Sequence, residues 1–287
     1  LYTWYLRPGH RSAEYVCFFS GSSVSSPRTA DGILFLVSTH VAFSPSILLQ
    51  AVGPSTQTCA SMMHIEHLSK SYGAHIVLRD ISLDFEKGKV YGIVGENGSG
   101  KTTLFKCIIG IEPYHGHIRS DYGDLKDHIG YLPTDPYFFS KITGREYLRL
   151  LANARGVVEK DVDSKNIFDL PLDQYASNYS TGMKKKLAMT AILIQQNDIY
   201  ILDEPYNGVD IHSNMIITEI IGRLRNLQKT LIISSHIFST LKETCDQIHV
   251  LDQGQITRSV GVDAFDALES EMKNFTVQDK VNRLELR

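Results

Sequence analysis

The chain has 287 residues and a formal net charge of −3, with 29 basic residues against 32 acidic ones. Its hydrophobic fraction of 43% and charged fraction of 21% exclude a wholly disordered chain, a collagen and a coiled coil, and the slightly acidic balance gives no electrostatic reason to expect a nucleic-acid binder. Its 4 scattered cysteines contain no Cys-x-x-Cys pair, so neither a disulfide framework nor a zinc site is predicted, and a reduced, cytosolic protein is the default expectation.

Residues 1–61 differ in composition from the rest of the chain. No Asp, Glu, Lys or Arg occurs from Gly32 to Ile65. The apolar run at 33–52 is interrupted by polar residues and a proline and follows no basic segment, so it fits poorly with a spanning helix or a signal peptide. Because the first methionines are Met62 and Met63, we interpret residues 1–61 as a non-native or disordered extension, with a membrane anchor as the alternative.

From Met62 onward, strand and helix patterns alternate as they do in an α/β domain. The predicted strands are 64–68, 76–85, 89–94, 198–202 and 230–234. The predicted helices are 102–109, 181–195, an amphipathic helix through 217–227 and a short C-terminal helix through 262–272. A further helix is predicted to begin at a capping box formed by Thr143 and Glu146 and to end at Gly156.

The first chemical motif is Gly95-Glu96-Asn97-Gly98-Ser99-Gly100-Lys101-Thr102, which fits G-x-x-x-x-G-K-[ST] between a predicted strand and a predicted helix. Its glycines allow backbone N–H groups to approach a phosphate, and the helix N-terminus adds a positive dipole end. We expect Lys101 to reach the β- and γ-phosphates and Thr102 to ligate Mg²⁺. Thr103 is predicted as a further nucleotide contact. The alternative is a glycine-rich turn without a ligand.

The second motif is a buried strand that ends in two carboxylates, Asp203 and Glu204. Asp203 is predicted to hold Mg²⁺, usually through water, and Glu204 to polarise the attacking water as a general base. A solvated turn before Pro205 is the alternative, but a divalent cation would offset the repulsion between adjacent acids. The two motifs together predict a Mg²⁺-dependent nucleoside triphosphatase.

A third motif, Tyr179-Ser180-Thr181-Gly182-Met183, makes the chain resemble the ABC ATPase family over about residues 62–260. The resemblance implies an α/β fold: a P-loop NTPase core with an antiparallel β subdomain and a helical signature subdomain at about 135–195, followed by a helical tail at 261–287. It also implies a head-to-tail dimer, either a homodimer or a heterodimer, that holds ATP and Mg²⁺ between its protomers.

The resemblance assigns roles to further residues. Tyr72 is expected to stack on adenine, and His236 to act at the γ-phosphate. Ser180 and Gly182 are expected to contact the γ-phosphate bound by the partner protomer. Residues 207–210 match the loop that crosses between protomers.

Thr181 and Met183 depart from the family pattern, which usually has glycine and often glutamine at these positions. A threonine is expected to be tolerated if it is the helix N-cap. Thr134 also departs, because a glutamine that contacts Mg²⁺ and the water is usual there. Threonine is too short for that reach, so either Asp135 substitutes or the relay to the transport partner is weaker.

Two further clusters lie near these motifs. Lys184, Lys185 and Lys186 open the helix after the third motif, where cations oppose the helix dipole. A solvated face is the usual explanation, and a nearby phosphate is the alternative. The aromatic run at 137–139 follows Thr134. It is predicted to be an exposed docking patch, with core packing as the alternative.

The resemblance implies the ATPase subunit of a transporter. It would work with a multi-span membrane permease on a separate chain, at the cytoplasmic face of the inner membrane, with no nucleic-acid partner. A soluble ABC ATPase that acts on ribosomes or DNA is the alternative. The third motif disfavours an unrelated P-loop enzyme such as a kinase.

Overall fold

The computed structural model describes residues 2–6, 15–19 and 61–276, and the chain divides into two units at 1–56 and 57–287. In the first unit, β1 (Tyr2–Leu6) pairs antiparallel with β2 (Tyr15–Phe19). The rest of the predicted extension, and residues 277–287 of the predicted tail, lie outside the described residues. The other described elements all belong to the second unit.

A six-stranded sheet in the order β11-β10-β5-β9-β8-β7 forms the centre of this unit. All neighbouring strands in it are parallel except β10 and β11. Its strands are β5 (Val90–Val94), β7 (Ile129–Leu132), β8 (Ile199–Asp203), β9 (Thr230–Ser235), β10 (Gln247–Asp252) and β11 (Gln255–Gly261). Every residue of β5, β8 and β9 is buried, as expected for parallel strands covered on both faces.

A second sheet of three antiparallel strands confirms the predicted β subdomain. It consists of β3 (Ser61–Tyr72), β4 (His75–Glu86) and β6 (His115–Ser120), in the order β4-β3-β6. With the parallel sheet and its helices, it makes the domain the α/β P-loop fold that the sequence predicts.

The helices are α1 (Lys101–Ile108), α2 (Gly144–Ala154), α3 (Thr181–Ile194), α4 (Ile211–Asn226), α5 (Phe238–Lys242) and α6 (Phe265–Thr276). The predicted capping box of α2 is present: the Thr143 side chain accepts from the Glu146 N–H, and the Glu146 carboxylate accepts from the Thr143 N–H. Gly156, just beyond α2, has a φ of 69°, the left-handed conformation that commonly ends a helix. Helices α2 and α3 pack together.

Hydrophobic residues on the two faces of the parallel sheet form two core clusters. Leu231 and Ile233 of β9 belong to one cluster and Ile232 to the other, because successive strand residues point to opposite faces. The first cluster contains buried residues of α2, α3 and α4, and the second contains those of α1 and of the antiparallel sheet. This packing fixes the carboxyl ends of β5, β7, β8 and β9 at one edge, where ligands bind in parallel sheets.

Candidate functional site: a nucleotide pocket at the strand ends

A cavity of about 480 Å³ opens at this edge of the parallel sheet. The residues that line it are Val77, Asn97, Gly98, Gly100, Lys101, Thr102, Thr103, Thr134, Glu204, Asn207 and His236. The structure thus brings together residues of the first two motifs, although they are about one hundred positions apart in the chain. Tyr72, Ser180 and Gly182 are not among the lining residues.

The glycine-rich loop from β5 to α1 forms one wall of the cavity. Gly100, the N-cap of α1, has a φ of 110° and makes no side-chain capping hydrogen bond. A Cβ atom on Gly95 would lie 2.3 Å from the Leu251 carbonyl oxygen, so only glycine fits there. Lys101 is 6% exposed, and its Nζ donates to the Gly95 and Glu96 carbonyl oxygens at 2.8 and 3.2 Å. An uncapped helix start beside a lysine is suited to an anionic ligand.

Asp203 is fully buried at the end of β8 and accepts hydrogen bonds from three hydroxyl groups. Thr102 and Thr134 donate to Oδ2 at 2.6 and 2.8 Å, and Ser234 donates to Oδ1 at 2.5 Å. The donors stabilise a carboxylate that would be costly to bury alone. They also tie α1 to the loop after β7 and to the end of β9. A carboxylate and hydroxyl oxygens are ligands that Mg²⁺ accepts.

Thr134, one of the departures from the family pattern, lines the cavity, whereas Asp135 beside it is exposed and does not. The short threonine side chain reaches Asp203 itself. The structure therefore places Thr134 in the site and Asp135 outside it.

Glu204 follows β8 with a φ of 51°, a left-handed conformation that costs a non-glycine residue on the order of 1–3 kcal/mol. Its N–H donates to the Ser234 hydroxyl at 2.9 Å, and His236 Nδ1 lies 2.8 Å from Oε2. Glu204 Oε1 is buried without a hydrogen-bond partner, 3.6 Å from Lys101 Nζ. Because Glu204 lines the cavity, this acceptor is suited to binding a water molecule beside an anionic ligand.

Tyr72 lies next to the cavity wall and is 44% exposed. The Lys70 ammonium is 4.5 Å from the centre of the Tyr72 ring and 2.9 Å from the Glu112 carboxylate. Burial and a hydrogen bond with Glu112 raise the pKa of the Tyr72 hydroxyl. Lys70 and Glu112 were not singled out in the sequence, because only their contacts with Tyr72 connect them to the site.

The third motif starts α3 outside the cavity. Ser180 is the N-cap, and its side chain accepts from the Met183 N–H. The condition under which a threonine is expected to be tolerated, a place at the N-cap, is therefore not met: Thr181 is the first residue of the helix and is exposed. A Cβ atom on Gly182 would lie 2.6 Å from the Gly208 carbonyl oxygen, so glycine allows α3 to pack against the loop at 207–210.

The three lysines after this motif are not all exposed to solvent. The prediction of a solvated face is wrong for Lys185, the middle one. Lys185 is 2% exposed and its Nζ donates to the Glu204 and Asn207 carbonyl oxygens. Lys186 donates to Asp210 at 3.2 Å.

The aromatic run after Thr134 is divided between surface and core. Tyr137 and Phe139 are 78% and 58% exposed, whereas Phe138 packs against Tyr147 with 4.6 Å between the ring centres. The prediction of an exposed patch therefore holds for the two outer residues, and core packing holds for the middle one.

A glycine-rich loop that leads into a helix, together with a strand-end aspartate and glutamate, defines a P-loop nucleoside triphosphatase. The family model described as "ABC transporter" matches residues 78–207. The bacitracin transport ATP-binding protein BcrA of Enterococcus faecalis is 32% identical over 231 residues, which are 76% of this chain and 75% of that protein. The ABC transporter ATP-binding protein NatA of Bacillus subtilis is 32% identical over 224 residues, 72% of this chain and 91% of that protein.

A solved structure described as the ATP-binding subunit of an ABC transporter superposes with a TM-score of 0.64 and 25% sequence identity, covering 73% of this chain and 94% of that one. The chain therefore belongs to the family of ABC transporter ATP-binding proteins. Membership implies ATP binding and hydrolysis, and it favours transport over the alternative of an ATPase that acts on ribosomes or DNA. Within the described part of the chain, no helix is long and apolar enough to cross a membrane.

Proposed function

We propose that this chain hydrolyses ATP with Mg²⁺ in the described cavity and thereby drives transport through a separate membrane permease. The observation that carries the proposal is the buried Oε1 of Glu204, which has no hydrogen-bond partner and lies 3.6 Å from the ammonium of Lys101. It combines a general base with a phosphate-binding cation in one cavity.

The residues around this pair have separate tasks. Lys101 and the backbone N–H groups of the glycine-rich loop bind the phosphates, and Glu204 accepts the proton of the attacking water. His236 holds Oε2 of Glu204, which leaves Oε1 without a hydrogen-bond partner. Thr102 and Asp203 would hold Mg²⁺, which supplies charge neutralisation at the phosphates when it is bound. Tyr72 offers an exposed ring for stacking on adenine.

The active form is a dimer of ATPase domains, either two copies of this chain or this chain with a related one. Ser180 and Thr181 are exposed at the start of α3 and do not line the cavity of their own chain. Their exposure supports a contact of Ser180 and Gly182 with the nucleotide of the partner protomer.

The permease is a multi-span membrane protein that docks on the exposed rings of Tyr137 and Phe139. These rings follow Thr134, which touches Asp203 in the cavity, so the docking surface is linked to the nucleotide site by a short segment. Docking there places the chain peripherally at the cytoplasmic face of the inner membrane, without a nucleic-acid partner.

The catalytic part of the proposal is tested by ATP turnover and ATP affinity of the purified full chain. Turnover is expected to need Mg²⁺ and to stop when EDTA is added. Glu204→Gln is expected to lower turnover about 10²–10⁴-fold, because a general base is removed, while ATP binding persists. Lys101→Ala is expected to weaken both, and Lys160→Ala, at an exposed position away from the cavity, serves as the control. Retained hydrolysis in Lys101→Ala would contradict the assignment.

The transport part is tested by expressing the tagged chain in its native cells and identifying what co-purifies from solubilised membranes. We expect a stoichiometric multi-span protein with the native chain and a weaker association when Tyr137 and Phe139 are both replaced by serine. Recovery only with ribosomes or DNA would instead support the alternative function.

A further inference from the structure

Lys185 makes an unusual connection between α3 and the loop that carries Glu204. Its side chain is 2% exposed, and its Nζ donates to the Glu204 carbonyl oxygen at 2.7 Å and to the Asn207 carbonyl oxygen at 2.9 Å. Two of the three donors of the ammonium are therefore used on backbone carbonyls. Burial lowers the pKa of Lys185, and the nearby carboxylates of Asp135 and Glu204 oppose that shift.

The two carbonyls bracket the turn that follows β8. The Asn207 N–H donates back to the Glu204 carbonyl oxygen at 3.2 Å, so this oxygen is shared by the turn and by Lys185. Glu204 has a φ of 51° and Gly208 a φ of 75°. Because left-handed residues persist only where the surroundings hold them, the turn needs external contacts of this kind.

The conformation of this turn determines where the Glu204 side chain points. Its Oε2 is held by His236, and its Oε1 has no hydrogen-bond partner and lies 3.6 Å from the Lys101 ammonium. The side chain is thus held by His236 after β9, whereas the backbone is held at its N–H by Ser234 of β9 and at its carbonyl oxygen by Lys185 of α3.

We infer that Lys185 is a positioning residue for ATP hydrolysis, because it holds the Glu204 backbone in its left-handed conformation. It thereby couples the position of Glu204 to the position of α3. Since Ser180 is the N-cap of α3, a displacement of that end of the helix acts on the general base of the same chain through Lys185. This inference rests on the proposed function of Glu204 and extends it to a residue that does not line the cavity.

The test compares Lys185→Met, which keeps the apolar stem and removes the ammonium, with Lys184→Met on the same helix. Lys184 is half-buried and serves as the matched control. We expect Lys185→Met to lower kcat about 10–100-fold, because a small misplacement of a catalytic group has effects of this size. The Kd for ATP is expected to change less than about twofold, since Lys185 is outside the cavity. Lys184→Met is expected to retain the wild-type kcat.

A second measurement does not depend on activity. In the nucleotide-free full chain, hydrogen exchange of the peptide that contains residues 203–210 is expected to become faster in Lys185→Met and to stay unchanged in Lys184→Met. If the wild-type chain does not hydrolyse ATP, the proposed function fails, while the exchange measurement still tests the contact. Unchanged exchange overturns the inference, and so does an equal loss of kcat and ATP affinity.

Lys185→Gln covers the case in which the methionine variant does not fold. Its shorter side chain keeps two neutral N–H donors. If both variants fold, the kcat of Lys185→Gln is expected to lie between the values of wild type and Lys185→Met. If only the glutamine variant folds, its kcat is expected to be below that of wild type. A glutamine variant with unchanged kcat and unchanged exchange overturns the inference.

Discussion

Helices α1 and α3 both begin where the sequence predicts a phosphate contact, but their first turns are built differently. The N-cap of α1 is Gly100, which has no side chain to occupy the helix N–H groups. The N-cap of α3 is Ser180, whose hydroxyl group already accepts from the Met183 N–H. The start of α1 therefore has backbone donors available for an anion, whereas the Ser180 side chain already occupies one donor at the start of α3.

This difference explains why the two helices relate to the cavity in different ways. The loop before α1 forms the cavity wall through its backbone, and the Leu251 carbonyl oxygen leaves no room for a side chain at Gly95. The position of α3 depends on distant contacts: Gly182 packs on Gly208, and Lys185 donates to the Glu204 carbonyl oxygen. Substitutions before α1 should act on ATP binding, and substitutions in α3 should act on turnover.

The largest effect is expected for Gly95→Ala. The new Cβ atom would lie 2.3 Å from a backbone carbonyl oxygen of Leu251, and relieving the clash must shift the loop. Overpacking of about 3 kcal/mol corresponds to a loss of about 100-fold in ATP affinity, measured by calorimetric titration.

Gly98→Ala in the same loop is the matched control. No atom lies within 4 Å of its added Cβ, although its φ is 87°. The left-handed conformation alone costs roughly 1 kcal/mol, so a loss of about fivefold in affinity is expected. Equal losses for the two alanine variants would contradict the steric explanation.

Motifs whose geometry depends on neighbouring residues were predictable from the sequence. The glycine-rich loop, the Asp203–Glu204 strand end and the capping box at Thr143 all appear where the pattern places them. Strands β6, β7, β10 and β11 were not predicted. The sheet, rather than local propensity, determines their conformation. The contact between Lys185 and Glu204 was not predictable either, since only the folded chain brings these two residues together.

The second prediction concerns the hydroxyl groups around Asp203, which attach α1 to the strand ends. Thr134→Val removes one of the three donors to a buried carboxylate and keeps the side-chain shape. Hydrogen bonds to charged groups contribute about 1.5–3 kcal/mol, so the free energy of unfolding in urea should fall by about 2 kcal/mol. Thr134→Ser retains the donor, so its free energy of unfolding should be less than 1 kcal/mol below that of wild type. A stable Thr134→Val variant would mean that the hydrogen bond at 2.8 Å contributes nothing.

A smaller effect is expected at the start of α3. Ser180→Ala removes the side-chain cap and should lower the free energy of unfolding by about 1 kcal/mol, because one helix N–H loses its acceptor. If the hydroxyl group also contacts the partner's nucleotide, Ser180→Ala should lower ATP turnover at high protein concentration as well as the free energy of unfolding. Ser177→Ala, which is exposed just before the motif, is the control. Loss of stability without any loss of turnover would confine Ser180 to capping.

The smallest effect is expected for Tyr72, which does not line the cavity but has a hydrogen bond with Thr103, which does. Tyr72→Ala should weaken ATP binding about fivefold, since stacking on one aromatic ring contributes about 1 kcal/mol. Tyr72→Phe keeps the ring and the nearby Lys70 ammonium but loses the hydrogen bond with Glu112. It should therefore bind ATP within about twofold of wild type, measured by the same titration. If the phenylalanine variant binds as weakly as the alanine variant, the hydroxyl group, rather than the ring, connects Tyr72 to the nucleotide site.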